Sequence, residues 1–141
     1  KEIGTISTQN WYGALYFDIV PFRAKHGRVY MLLGIAQNKQ FLTMKVIDVL
    51  WFEEEKAFLG MPIFEFWKKD FLHRIVFEYN EDISITLLYE KENKRFVFDH
   101  LEPVNSGFVG DYRYYVPNST YDAYKKNVWK WVLQEDVIVG E

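Results

Sequence analysis

Apolar residues recur along this chain in short runs with a period of two. In "ISITLLYE", Ile83, Ile85, Leu87 and Tyr89 alternate with Ser84, Thr86, Leu88 and Glu90. Such alternation marks a strand with one face in a core. "GALYFDIV" repeats the pattern and predicts a core face of Leu15, Phe17 and Ile19. "VYMLLGI", "KVIDVLWF", "HRIVFEY", "RFVFDHL", "YRYYV" and "VWKWVL" add further strands, rich in β-branched and aromatic residues. Polar turn segments separate them: "RAKHGR", "QNKQ", "EEEK", "WKKD", "NED", "EKENKR", "PVNSG" and "PNST".

Strands following one another at intervals of about 8–14 residues predict antiparallel hairpins. Parallel crossovers need longer, usually helical, connections. The expected fold class is therefore all-β: one domain over residues 1–141, an antiparallel meander of about eight to ten strands. It closes as a barrel or stacks as a two-layer sandwich. "STYDAYKKNVW" is a weaker helical alternative, with Ser119 or Thr120 as its cap. Pro62 lacks a backbone donor and belongs at an edge or a bulge.

Composition agrees with a packed core and excludes several functions. The chain is 49% hydrophobic and 19% aromatic, unlike a disordered segment. Net charge is −3, with acids and bases interspersed and no basic stripe for phosphates, so nucleic acid is not an expected partner. Apolar runs stop far short of the ~18 residues of a membrane span, which argues against an integral membrane protein. The absence of cysteine removes disulfides, thiolate metal sites and a cysteine nucleophile. The first residue is Lys1 rather than methionine, which raises the expectation that a leader or longer N-terminal region precedes it.

The stretch richest in chemistry is "FDHLEP". Asp99 and His100 are adjacent, and adjacent strand residues point to opposite faces. They cannot form an aspartate–histidine dyad with each other; each needs a partner elsewhere. Their expected role is to fix the corner at which the chain turns into Pro103. Glu53–Glu55 read as a solvated turn, and Glu135 and Asp136 do not establish glycosidase spacing. His26, His73 and His100 form no ligand motif. No calcium loop, nucleophile elbow or phosphate-binding glycine loop is present. No metal or cofactor is expected. "NST" at Asn118 matches a glycosylation sequon. Trp129 and Trp131 share one face of "VWKWVL", giving either a stacking platform for a sugar or peptide, or ordinary cross-strand pairing within a sheet.

Several segments in order carry a resemblance: "LLG" at 32–34, "KVIDVLWFEEEKAFLGMPIFEF" at 45–66, "RIVFEYNEDISITLLYEKENKRFVFDHLEP" at 74–103 and "YYVPNSTYDAYK" at 114–125. Together they resemble a family of uncharacterised exported proteins of Bacteroidetes bacteria, over roughly residues 12–136. In that family a motif similar to "FDHLEP" precedes a "GPDFSYDAY"-like segment and a "KWVYVEDVDAR"-like tail. Here the second is "VPNSTYDAY" and the tail ends "DVIVGE"; a "GWDGNN"-like loop is "GIAQNK", with Gln37 and Asn38. Tyr121 and Asp122 match the family pattern. The resemblance implies export to the periplasm or cell envelope and carries no activity.

Three functions follow as expectations. The first is a non-catalytic exported module for binding or scaffolding, whose partner is a glycan, a peptide or an envelope protein, with a site at Trp129 and Trp131. The second is a hydrolase built from Asp99, His100, Tyr121 and Asp122. The third is a barrel holding an apolar ligand, which needs an open interior.

Overall fold

The computed structural model describes residues 4–7, 13–39, 41–67 and 70–140. Lys1, Gln40, Lys68, Lys69 and the side chain of Asn38 fall outside that description. Twelve strands are found among the described residues, more than the eight to ten that the periodicity predicts. They are β1 (Ile6–Ser7), β2 (Leu15–Ala24), β3 (Gly27–Lys39), β4 (Leu42–Glu53), β5 (Lys56–Leu59) and β6 (Phe64–Trp67), followed by β7 (Asp70–Leu72), β8 (Ile75–Asn80), β9 (Leu87–Glu90), β10 (Arg95–Pro103), β11 (Tyr115–Asn127) and β12 (Lys130–Gln134). Two 3-10 turns, Ser106–Phe108 and Tyr112–Tyr114, join β10 to β11.

The strands make two six-stranded sheets. The first runs β1-β5-β4-β3-β2, with β8 also on β4; the second runs β7-β6-β12-β11-β10-β9. This is an all-β sandwich-like fold with open sheet edges, not a closed barrel. It is not a simple meander either. The chain leaves the first sheet after β5, makes the β6–β7 hairpin of the second, returns for β8 and leaves again for β9. That excursion produces one parallel pairing, β12 with β6, through Trp131 and Phe64. Hairpin spacing alone does not encode it.

Both sheets contribute to one core. Val20, Phe22, Met31, Leu33, Ile47, Val49, Ile75 and Phe77 come from the first; Phe64, Leu87, Phe96, Phe98, Tyr124 and Trp131 come from the second. Aromatic rings cross the interface: Phe77 lies 4.6 Å from Phe98, and Phe22 meets Trp131 edge-on at 5.3 Å. These side chains fill the space between the sheets, so the fold has no open barrel lumen for an apolar ligand.

Two local expectations are corrected. Leu15, Phe17 and Ile19 do not form a buried face of β2: they are 77%, 50% and 60% exposed, and the register shift between Tyr16 and Asp18 sets Leu15 opposite Ile35 but Ile19 opposite Leu32, on opposite faces of the sheet. Val20, Phe22 and Ala24 of the opposite parity are buried. Period two tells neither where a bulge breaks the alternation nor which face meets the core, and both faces of β2 carry apolar side chains. "STYDAYKK" is not helical; it lies within β11, between β10 and β12. Pro62 lies in the bend before β6 rather than inside a strand. The glutamate run makes the β4–β5 hairpin turn, with Glu54 and Glu55 both at positive φ (51° and 66°) as a tight hairpin turn requires.

Candidate functional site

The "FDHL" and "TYDAY" segments meet because β10 and β11 pair. Phe98 is opposite Asp122, and Asp99 is opposite Tyr121. The register then shifts between Asp99 and Leu101, with Ser119 on β11 at φ 72°. His100 is two positions beyond Phe98 and so shares a face with Asp122, its diagonal neighbour. Its Nδ1 lies 2.7 Å from Asp122 Oδ2. A carboxylate only accepts, so the bond places the histidine proton on Nδ1 and leaves Nε2 as the outer nitrogen. Asp122 is buried, and its Oδ1 accepts from the Asp136 amide at 3.0 Å.

Asp99 takes no part in this pair. It points to the other face, where its Oδ2 accepts from the Thr86 amide at 2.6 Å while its own amide donates to the Thr86 carbonyl. It therefore fastens the segment before β9 to β10. Lys45 stands near Asp99 and donates to the Ile85 carbonyl at 2.7 Å; burial lowers its pKa, against the attraction of Asp99. Tyr121 is half-buried and contributes its carbonyl to the Val137 amide. The expected divergence of Asp99 and His100 thus holds, and His100 finds its carboxylate on the neighbouring strand. Among the described residues, no hydroxyl or other group bonds His100 Nε2, as a nucleophile held for a histidine base would.

The tryptophan pair does not form a platform. Trp131 is 1% exposed and belongs to the core. Trp129 precedes β12, in the turn that follows Val128 at φ 60°, so the strand alternation does not apply to it. Trp129 is half-buried, with Phe71 at 5.5 Å and Lys25 Nζ 5.8 Å from its ring.

Trp129 instead helps line a groove of ≈ 560 Å³ at one end of the sandwich. Trp51, Met61, Pro62 and Ile63 form its apolar part, and Lys25 and His26 of the β2–β3 turn, Arg28 at the start of β3 and Glu53 at the end of β4 border it. Trp51 is held by its Nε1 on the Gly60 carbonyl at 2.8 Å and by stacking on Phe58 at 4.7 Å. A second cleft, of ≈ 300 Å³, lies beside it and shares Arg28. Neither cavity is lined by Asp99, His100, Tyr121 or Asp122.

Trp51 and the basic turn were not singled out from the sequence. Residues 24–29, 51–53, 61–63 and 129 meet only through the sandwich topology. The one available signal is the composition of "RAKHGR", a hairpin turn with four basic residues counting His26 and no acid.

No group of three or more His, Cys, Asp or Glu side chains that could hold a metal ion is found among the described residues. No helix among them is long and apolar enough to cross a membrane. Comparison with protein-family models, with curated proteins and with solved structures finds no match.

Proposed function

We propose that the protein is a non-catalytic exported binding module whose ligand, an acidic glycan fragment, occupies the Trp51–Trp129 groove. The observation that carries this reading is the groove's composition: two indoles and an apolar floor bordered by Lys25, His26 and Arg28, with Glu53 the one acid in its lining. Its volume falls in the ordinary range of ligand sites, which are mostly apolar with a few orienting polar groups. An indole offers a flat apolar surface to the C–H face of a sugar ring. The neighbouring cations complement a carboxylate on that ring. The resemblance of the sequence to exported envelope proteins supports the address. Isothermal titration with uronic-acid oligosaccharides tests the reading. Trp129→Ala and Lys25→Glu should each weaken binding at least tenfold, and His100→Ala should leave it intact. Equal binding by all three variants would exclude the groove.

The hydrolase reading is favoured by one observation, the 2.7 Å contact of His100 with Asp122. A histidine oriented by a carboxylate is half of a catalytic constellation. The other half, a nucleophile or bound water at Nε2 beside a substrate cavity, has no support among the described residues. Turnover of any glycan that is abolished by His100→Ala would revive this reading.

A further inference from the structure

The smaller cleft has a composition that the groove lacks. It opens where β2, the edge of the first sheet, approaches the strands of the second. Arg23 and Arg28 line it from the first sheet, and Lys94 and Lys126 from the second, with Tyr89 and Trp131 between them. No acidic residue lines it, although the chain as a whole carries a net charge of −3.

The cations are placed against one another by backbone pairing. Arg23 and Arg28 are directly opposite in the β2–β3 hairpin, an arrangement of like charges that destabilises a sheet. The Lys126 amide donates to the Lys94 carbonyl at 3.0 Å, which keeps those residues adjacent as well. None of the four side chains makes an ion pair or hydrogen bond among the described residues. Lys126 Nζ lies 5.4 Å from the Phe22 ring, a contact that leaves its charge uncompensated.

A second, independent observation comes from Trp131, the cross-strand partner of Lys126. Its side chain is 1% exposed and its Nε1–H is buried with no acceptor. Buried donors are nearly always satisfied, so an orphaned one on a residue that lines a cavity calls for an acceptor. The edge-on Phe22 ring offers only a weak π face.

We propose that this cleft is a binding site for a compact oxyanion of the phosphate or sulfate type, free or as the terminal group of an ester. Two guanidinium groups supply planar forks of donors and two ammonium groups supply point charges. Trp131 lines the cleft, and its buried Nε1–H is a neutral donor without an acceptor. A volume of ≈ 300 Å³ admits such a group with part of what it is attached to. The inference does not depend on the glycan groove, which shares only Arg28 with it.

The test is a ¹H–¹⁵N titration of the intact chain in which sodium chloride is replaced by sodium phosphate at constant ionic strength. The chain has five tryptophans, and the assigned Trp131 indole resonance is the readout. It should move in a saturable way while the other indole signals stay nearly fixed. The Arg23→Gln/Lys94→Asn variant alters two exposed side chains, and asparagine tolerates the φ of 49° at Lys94. It should bind at least tenfold more weakly with an unchanged fold; Arg28→Gln provides a second such variant. A small-sugar phosphate monoester run alongside identifies the source: at least tenfold tighter binding than inorganic phosphate assigns the site to an ester, and equal or weaker binding assigns it to the free ion. A linear response, a shift common to all indoles, or equal affinity in both variants would overturn the site. Phosphate stabilises most proteins by exclusion from their surface, so a raised melting temperature alone is not the readout.

Discussion

Arg74 and Asp48 form an ion pair inside the first sheet, with Arg74 Nε 3.1 Å from Asp48 Oδ2 and both side chains withdrawn from water. Asp48 is at the centre of β4, and Arg74 immediately precedes β8. Arg74 also reaches the Leu59 carbonyl at the end of β5 through Nη2, at 3.2 Å. One buried cation thus ties together the three strands through which the chain leaves and re-enters this sheet. Removing one partner of such a pair leaves an uncompensated buried charge, which costs about 3–5 kcal/mol. Arg74→Ala should therefore lower unfolding free energy by that amount in urea. Arg74→Met combined with Asp48→Leu should recover much of it.

Gly60 is the next consequence of the same pair. Its φ is +97°, and a Cβ built there would lie 2.5 Å from Arg74 Nη2 and 2.7 Å from the Gly4 carbonyl. Gly60→Ala should cost about 2–4 kcal/mol, from backbone strain together with displacement of the guanidinium. Trp51 donates to the Gly60 carbonyl, so a blue-shifted or broadened Trp51 signal should accompany the loss in a thermal melt.

Acid should loosen the C-terminal segment first. Glu90 accepts from Arg95 Nε at 2.5 Å, from Asn93 at 3.1 Å and from the Gly140 amide at 2.6 Å. The Arg95 hydrogen bond, above all, holds its carboxyl below the usual value of 4.5. A carboxyl with a depressed folded pKa contributes stability that is complete above its unfolded pKa and is lost as pH falls through the folded one. Hydrogen exchange at Gly140 should therefore accelerate as pH falls below about 4.5, once the intrinsic pH dependence of exchange is removed. Glu90→Gln should show the faster exchange already at pH 7, with no further acid step from this group.

Alkali should act through Tyr124. Burial, reinforced by the nearby Asp122 charge, pushes its hydroxyl up to about 12. An acid whose folded pKa is raised keeps its contribution below the unfolded pKa, here 10.0, and loses it as pH rises toward the folded value. Stability should decline between pH 10 and 12, and Tyr124→Phe should flatten that decline. Absorbance at 295 nm should show Tyr124 forming its tyrosinate late, together with unfolding, alongside Tyr79 and Tyr89, whose hydroxyls burial also raises; Tyr124→Phe should remove part of that late step.

The all-β class was legible because "ISITLLYE" and its counterparts alternate cleanly, and because Ile85, Leu87 and Trp131 are as buried as an inward face demands. The face of β2 was not legible, since Leu15 and Phe17 are as apolar as Val20 and Phe22. The sandwich, and the parallel contact of Trp131 with Phe64, depend on where the chain goes after Leu59, which no local period records. At the candidate site, the divergence of Asp99 and His100 followed from strand geometry alone. The meeting of His100 with Asp122 required the β10–β11 register and its irregularity at His100. The clefts were least legible. Arg23 at the end of β2 and Lys94 in the β9–β10 turn are far apart in sequence, and each segment taken alone reads as an ordinary solvated hairpin end.

Under the proposed function, the Trp51–Trp129 groove binds the ligand and the protein leaves it chemically unchanged. The most direct measurement is a ¹H–¹⁵N chemical-shift map of the assigned protein during titration with uronic-acid oligosaccharides. Saturable shifts are expected at the Trp51 and Trp129 indoles and along Lys25–Arg28, with His100 and Asp122 unmoved and the oligosaccharide recovered intact. Shifts centred on His100 and Asp122, cleavage of the oligosaccharide, or no shift at the two indoles at saturating ligand would contradict that function.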